Sequence, residues 1–451
     1  MTASTTSPSN APDISVPQHL RLLLDRWGID QWRTPEAISV RQVQQLAALL
    51  DHAWRQSPYY RQRLTAAGYR PGTPVTPDLW QALPILKRDE VQAAGAALRA
   101  NELPRGHGGY AQISTSGSTG QPVTVTKSAL AQRIWWAITL REHLWHRRDF
   151  SLKFAAIRLF AGDLAKSPHG RLHDSWGPPT NLLYSTGPAA LLDVHVGLER
   201  QLEWLIEQRP AYLLSLPSNL RGLANLSQAR GVRLPSLREV RCVGEPVGDD
   251  LRAACTAAWD VPVTDIYSTQ ELGYLALQCP RHNHYHVQEE SVRLEVLHAD
   301  GRPCGPGEVG LVVATPLYNY ATPLLRYAPG DYAEVGDPCS CGRGLAVVRR
   351  ILGRERNMWV RPTGDRWWPH FGSTTMAEFT SIRQWQFVQK TLDSLEIRLV
   401  APTRLDPQQE AALQTLARER LGEYFTVTLT YCPDIPRAPS GKFEDYVCEV
   451  R

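Results

Sequence analysis

The sequence predicts an α/β protein: a large N-terminal domain of parallel sheets flanked by helices, with a β-rich subdomain, followed by a small α+β C-terminal domain. Three observations predict it. Between residues 110 and 266, short apolar runs alternate with segments of helical period. From 287 to 335 the chain is richer in β-branched, alternating residues, as an antiparallel layer requires. Beyond Gly353 a strand–helix–strand pattern fills about 100 residues, enough for a separate domain. The expected bounds are 1–16 for a leader, 17–352 for the large domain and 353–451 for the small one.

Met1 to Val16 is rich in Ser, Thr, Pro and Ala and lacks an apolar core. It reads as a disordered leader, not a secretory signal. Residues 18–100 read as amphipathic helices carrying Leu20, Leu22, Leu23 and Leu24, then Val43, Leu46, Leu49 and Leu50. Pro71, Pro74, Pro77 and Pro84 break that pattern into short pieces. Tyr110–Ser114 and Val123–Thr126 read as strands, and Ala129–His146 as a helix. Asp193–Gln208 reads as a helix with Val194, Leu198, Leu202, Leu205 and Ile206 on one face; Pro210 stops it. Strands at Tyr212–Leu216, Glu239–Val243 and Val263–Ile266 alternate with helices at Ser218–Arg230 and Asp249–Trp259. Ser291–Val296 and Gly310–Thr315 belong to the β-rich layer. Ser394–Val400, Asp406–Leu421 and Thr426–Tyr431 form the C-terminal strand–helix–strand.

Composition narrows the function. The chain has 451 residues, 43% hydrophobic and 21% charged, ordinary for a globular protein. A net charge of +4 is small for this length, and the 49 basic residues form no long run. No nucleic-acid partner and no membrane partner is expected. No apolar stretch approaches the ~18 residues of a membrane span. Eight cysteines are scattered from Cys242 to Cys448, unlike a disulfide-stapled scaffold, and fit a reducing cytoplasm.

The chemistry concentrates in short loops. Ser114 to Gly120 is seven consecutive hydroxyl or glycine residues, closed by Gln121-Pro122. Such a loop points several backbone N–H groups and hydroxyls into one concavity, which suits a polyphosphate. It is not a Walker A loop, because no lysine follows Gly120. Taken alone it also fits a flexible surface loop. Gly244-Glu245 follows a strand, where α/β sheets bind ligands, or it is a plain strand-to-helix turn. In Tyr267–Gly273, the carboxylate of Glu271 can hold Mg²⁺ between phosphate oxygens and Tyr267 can stack on a base; a helix start with an early Glu fits too. In Tyr327–Asp331, the Asp331 carboxylate suits a ribose diol, or the segment is a surface turn. Lys442, at the tip of Pro436–Phe443, can stabilise charge on a reacting carboxylate and α-phosphate, or is a solvated tail lysine.

Together, these segments resemble the motifs of adenylate-forming enzymes: acyl-CoA synthetases, luciferase and nonribosomal adenylation domains. Thr115–Pro122 resembles their phosphate loop, Tyr267–Glu271 their aromatic–Gly–x–Thr–Glu motif and Tyr327–Asp331 their Tyr–x–Thr–Gly–Asp motif. Gly353-Arg354 resembles their hinge, and Pro439–Lys442 their catalytic-lysine motif. The five occur in family order over residues 110–445. Ser57–Arg61, Leu83–Lys87 and the compact length resemble the phenylacetate-CoA ligase branch, with its coenzyme F-390 synthetase-like and capsular-polysaccharide-associated members. The chain departs from the pattern at Val123, Ser268, Gln270, Arg356 and Asn357. Arg356 can still serve as a hinge, since that position need only change its backbone angles.

The resemblance implies ATP-dependent activation of a small, aryl-type carboxylic acid to an acyl-adenylate with release of pyrophosphate. Acyl transfer to a thiol, foremost coenzyme A, follows. A carrier-protein thiol, an amine, or a degenerate binding scaffold are the alternatives, and a homodimer stays open. Thr115, Ser116, Gly117, Ser118, Thr119 and Gly120 would cradle phosphates. Gly244, Glu245 and Tyr267 would flank adenine. Asp331 and Arg354 would serve the ribose, Glu271 the Mg²⁺, and Lys442 the transition state. Trp135, Trp136, Ile157, Arg158, Tyr184, Ser215 and Pro217 would line the acyl pocket. Fourteen tryptophans are compatible with an aryl acid. Cys279, the histidines 282, 284 and 286, and Cys339-x-Cys341 suit tetrahedral Zn²⁺, or are free thiols beside surface histidines. The branch's spacing is best matched by Cys279, His286, Cys339 and Cys341 as the zinc set.

Overall fold

The computed structural model describes residues 14–114, 122–160, 162, 165–166, 168–369, 371, 376, 379 and 382–450; the segment 1–13 and the hydroxyl loop 115–121 lie outside them. The N-terminal helices α1 (Val16–Asp30), α2 (Pro35–Gln56), α3 (Pro58–Ala66), α4 (Pro77–Ala82) and α5 (Arg88–Ala94) cover one side of the molecule. Ser15, Thr34, Ser57 and Thr76 each accept a hydrogen bond from the first turn, and a proline sits at the first or second helical position after each. The prolines therefore start helices, because a first-turn proline forfeits only an N–H that has no intrahelical partner. Pro77 is one read from the sequence as a break.

A hairpin of β1 (Tyr110–Ser114) and β2 (Thr124–Ser128) brackets the hydroxyl loop, with Ser114 opposite Thr124. Helix α6 (Ala129–Trp145) follows. Then come β3 (Phe154–Arg158), β4 (Arg171–His173), β5 (Ala189–Asp193), helix α7 (Leu198–Gln208), β6 (Tyr212–Ser215), α8 (Pro217–Ala229), β7 (Glu239–Val243), α9 (Asp249–Trp259) and β8 (Val263–Thr269). The sequence expectation of a helix from Asp193 was five residues early. Asp193 ends a strand, and its carboxylate accepts the N–H groups of Phe160 and His195, which holds the chain in a turn until Gly197.

The antiparallel strands are β9 (Gly273–Gln278), β10 (Tyr285–Val287), β11 (Val292–Leu297), β12 (Val309–Pro316), β13 (Asp331–Val335) and β14 (Val347–Arg354). They do not form a separate layer. All join β3–β8 in one twelve-stranded sheet, ordered β11-β12-β13-β14-β10-β9-β8-β7-β6-β3-β5-β4. Strands β5, β3, β6, β7 and β8 run parallel; from the β8–β9 pair outward to β11, every pairing is antiparallel. The hairpin β15 (Trp359–Val360)–β16 (Arg366–Trp367) leads to the C-terminal strands β17 (Gln384–Gln389), β18 (Ser394–Val400), β19 (Thr426–Tyr431) and β20 (Tyr446–Cys448), with helix α10 (Pro407–Leu421) crossing from β18 to its parallel neighbour β19. Their sheet order is β19-β18-β17-β20, and it has its own core around Trp359, Phe387, Ile397 and Leu413. Among the described residues, no helix is long and apolar enough to cross a membrane.

A buried charge network locks α6 to the parallel strands. Arg148, with no exposed side chain, donates to Glu142 and Glu239, each at 2.6 Å, and to Thr264. Arg241 also pairs with Glu142. Burial opposes ionisation of Glu142, but the Arg148 and Arg241 guanidiniums hold its carboxyl well below the usual range. Arg148→Met leaves both carboxylates without that guanidinium and should destabilise the protein by about 3–5 kcal/mol. The change reads as a lower denaturant midpoint; a shift worth under ~1 kcal/mol would show the network to be dispensable. A carboxyl with a depressed folded pKa contributes stability above its unfolded pKa and loses it as pH falls. The gap between wild type and variant should therefore narrow in acid.

Candidate active site

The carboxyl ends of the parallel strands and the first residues of β13 and β9 meet along one edge. Glu271 sits in the tight reversal between β8 and β9, where Thr269 Oγ1 accepts the Leu272 N–H at 3.0 Å. Glu271 is buried; Tyr327 Oη approaches its carboxylate at 3.4 Å and Arg88 Nη1 at 3.9 Å. Asp331 opens β13, directly opposite Arg354 in the strand register, with Arg354 Nε at 3.4 Å. Tyr267 Oη donates to the other oxygen of Asp331 at 2.9 Å. Burial, with Asp331 beside it, pushes the Tyr267 phenol well up, so it stays a donor. Its ring is buried in the core.

Gly244 follows β7 with φ +87°, a backbone that favours glycine. A Cβ there would stand 3.4 Å from Lys442 Cε and 3.7 Å from its Nζ. The C-terminal loop thus reaches the strand ends. Glu245 clasps it: one carboxylate oxygen accepts the Phe443 N–H at 2.7 Å, and the carboxylate also accepts the Ser218 N–H (2.8 Å) and hydroxyl (3.1 Å). Arg437 Nη1 donates to Ser218 Oγ at 2.7 Å, and Arg221 spans Asp250 and Asp445. Burial lowers the pKa of Lys442 and Arg354 lowers it further, while Asp331, Glu245 and Glu271 oppose the fall. Three carboxylates and one guanidinium therefore face the same ammonium. Arg356, two residues past Arg354, pairs with Glu444, two residues after Lys442.

The phosphate-loop residues Thr115, Ser116, Gly117, Ser118, Thr119 and Gly120 lie outside the described residues, so only their hairpin is placed here. Of the residues expected in an acyl pocket, Trp135 lines a cavity with Lys127, Tyr274, Ser291, Tyr318 and Asn319. Ser215 is instead spent on the sheet: its hydroxyl donates to the Ile157 carbonyl at 2.6 Å. Ile157 and Pro217 are core, and Arg158 is exposed and stacked over Phe160. Sequence reasoning missed Arg88, Lys127, Ser218, Tyr274, Asn319 and Arg437. One signal was available: Lys127 shares the strand face of Val123 and Val125, four and two residues before it.

Cys279, His286, Cys339 and Cys341 converge on the far side of β9 and β10. Cys279 Sγ lies 3.8 Å from Cys339 Sγ, and His286 Nε2 lies 3.3 Å from Cys341 Sγ. His284 joins them: ligand atoms of Cys279, His284, His286 and Cys339 all lie within 4.8 Å of one another. His286 Nδ1 and His284 Nε2 are buried without hydrogen-bond partners. His282 points away to Ser340 Oγ.

The fold is shared with acyl-CoA ligases that form an acyl-adenylate. The C-terminal residues 370–448 match the family model described as the CapK C-terminal domain. The chain is 28% identical over 345 residues to a phenylacetate-coenzyme A ligase of Thermus thermophilus, covering 72% of each. It is 23% identical over 363 residues to the phenylacetate-coenzyme A ligase of Pseudomonas putida, covering 74% and 75%. A structure of 2-hydroxyisobutyryl-CoA ligase with an acyl-adenylate has the same fold, with TM-score 0.68, 19% identity and 91% and 88% coverage. These curated relatives are thus phenylacetate-coenzyme A ligases, and the fold is one shared with acyl-CoA ligases that form an acyl-adenylate.

The clasp makes a structural prediction. Glu245→Ala removes the acceptor shared by Ser218 and Phe443, so the loop 436–443 should detach and become a site of rapid limited proteolysis. An unchanged digestion pattern would show that Glu245 does not hold the loop.

Proposed function

We propose that this protein is an AMP-forming acid–thiol ligase. A carboxylate oxygen of a small acid attacks the α-phosphorus of ATP, and the bond to pyrophosphate breaks. The sulfur of coenzyme A then attacks the acyl carbon of the adenylate, and AMP leaves. The observation that carries this reading is the approach of Lys442, from the C-terminal loop, to Gly244 among the carboxylates of Glu245, Asp331 and Glu271.

Each residue has a task in that reaction. Lys442 presents a positive charge where the attacking carboxylate and the α-phosphate meet. The hydroxyl loop, with Thr115, Ser116, Gly117, Ser118, Thr119 and Gly120, would hold the β- and γ-phosphates. Asp331 accepts both ribose hydroxyls, and Arg354 and Tyr267 fix its orientation. Gly244, Glu245 and Tyr267 border the adenine. Glu271 supplies an oxygen ligand for Mg²⁺, which neutralises phosphate charge when bound. Its burial beside Tyr327 and Arg88 keeps it aimed inward. The thiol step requires Lys442 to withdraw, with backbone change near Gly353 to Arg356 and loss of the Arg356–Glu444 pair.

Cys279, His286, Cys339 and Cys341, with His284 as a further donor, fit a structural Zn²⁺. The two unpartnered histidine nitrogens support it, since a buried imidazole nitrogen otherwise has its hydrogen-bonding lost. The protein would hold about one zinc per chain, read by elemental analysis. Cys339→Ser should lose the metal and lower the melting temperature; stable, metal-free wild type would overturn the assignment.

The test of the reaction is carboxylate-dependent ATP–pyrophosphate exchange over aryl, aliphatic and amino acids, followed by thioester formation with coenzyme A. Lys442→Ala should cut exchange by about 10²–10³-fold and spare thiolation of a supplied acyl-adenylate. Equal loss of both half-reactions would place Lys442 outside the adenylation step. Exchange without thioester formation would move the acceptor to a carrier protein or an amine.

A further inference from the structure

A second group of metal-binding side chains stands apart from the cysteine–histidine cluster, at the end of the edge strand β11. His298, Cys304 and Glu308 each offer one ligand atom, and the three atoms lie within 4.8 Å of one another. His298 Nε2 is 3.0 Å from Glu308 Oε2. The backbone holds these residues in place. After Leu297 the chain reverses at Gly301, whose φ is +84°, and returns along the outer edge of β11. There the His298 N–H donates to the Arg302 carbonyl at 2.9 Å, and the Cys304 N–H to the Val296 carbonyl at 2.8 Å. A second turn, closed by the Glu308 N–H on the Gly305 carbonyl at 3.0 Å, carries the chain into β12. Val335, at the end of β13, accepts from the Gly307 N–H and donates to the Glu308 carbonyl. Gly310 leaves room for the sulfur: a Cβ there would stand 2.6 Å from Cys304 Sγ.

A histidine–glutamate hydrogen bond can pin this hairpin without a metal. What it does not use is the thiol. Cys304 is a free, half-buried cysteine whose sulfur has no hydrogen bond among the described residues, yet it sits against that pair. One imidazole, one thiolate and one carboxylate are donors that zinc and its first-row neighbours take, whereas Mg²⁺ and Ca²⁺ sites are built from oxygens. On a tetrahedral zinc, such donors stand about 3.4–3.6 Å apart. Small side-chain rotations reach that spacing from here. The Glu308 side chain is 51% exposed and that of His298 29%, so a fourth position faces solvent.

We propose that His298, Cys304 and Glu308 form a second, exchangeable site for a divalent cation of the zinc class, with one position open to water. Binding releases the Cys304 thiol proton to solvent and joins the thiolate to the metal. With three protein donors and an open side, the site holds its metal less tightly than the four-donor cluster, so it fills on titration. It does not rest on the ligase reading.

The test is a Co²⁺ titration of the full-length protein, read by thiolate-to-cobalt absorption in the near ultraviolet. Wild type should take up one equivalent more than Cys304→Ser, and the difference between their spectra should carry the thiolate-to-cobalt band. His298→Ala and Glu308→Gln keep the thiol and should weaken that uptake by at least about 10-fold. Millimolar Mg²⁺ should not compete. All three side chains are at least partly exposed, and with three variants the misfolding of one leaves the others to decide. Equal stoichiometry and superimposable spectra for wild type and Cys304→Ser overturn the proposal. So does a difference band that His298→Ala and Glu308→Gln leave at full strength, since the thiol then binds the metal without them.

Discussion

The reversal of strand direction at Glu271 is the constraint on which the site depends. Up to β8 the sheet is parallel, and its strand ends form the edge where α/β folds bind ligands. A turn from Thr269 to Gly273 then sends β9 back along β8, and the sheet continues antiparallel to β11. A single continuous sheet therefore brings Asp331 and Arg354, from strands nearly a hundred residues downstream of β7, to the edge reached by Gly244. The same reversal places β10 beside β14, which sets the cysteine–histidine cluster against the opposite end of those strands. Were the β-rich part a separate layer, none of these distances would be fixed by backbone hydrogen bonds.

Charge holds the C-terminal loop in place. Lys442 stands near three carboxylates, but its nearest covalent neighbour is what is clasped: the Phe443 N–H is bonded to Glu245. Glu245 also takes both donors of Ser218, so one carboxylate ties the C-terminal loop to the start of α8. Burial alone raises the pKa of Glu245, and its hydrogen bonds from Phe443 and Ser218 act the other way. The clasp is therefore strongest when Glu245 is ionised and the loop is docked. Losing the loop removes one of those donors and returns the carboxylate to water, which lessens the penalty of release. Under the proposed two-step reaction, that balance would suit a loop that docks for one half-reaction and leaves for the next.

Much of this was legible in the sequence, and the part that was not has a common cause. Segments that carry their chemistry on consecutive residues, such as Tyr267–Glu271, Tyr327–Asp331 and Pro436–Phe443, declare themselves through turn residues and local order. Proline breaks a helix in its interior but starts one at its first turn, and Thr76-Pro77 is a cap followed by a first-turn proline, so reading proline as a breaker misses this helix start. The helix before Pro210 was drawn too long, because Val194 fits its apolar face by spacing yet belongs to the sheet edge. Lys127 and Asn319 come from β2 and the turn after β12, nearly two hundred residues apart. No local pattern relates two residues whose proximity is set by tertiary packing.

The charges buried on the two sides of α6 show why the same residue types answer to different rules. Arg148 and Glu142 are as deeply buried as any side chain here, but each is fully paired, so they serve packing and register. Arg141, on the neighbouring face, pairs with Glu290 and Gln288 through its Nη atoms, while its Nε has no hydrogen-bond partner. Lys127, at the foot of the same helix, is buried with only an aromatic face and a distant carboxylate for company. The arginines at the neighbouring sites each have a carboxylate partner, and Lys127 has none within ion-pair distance among the described residues.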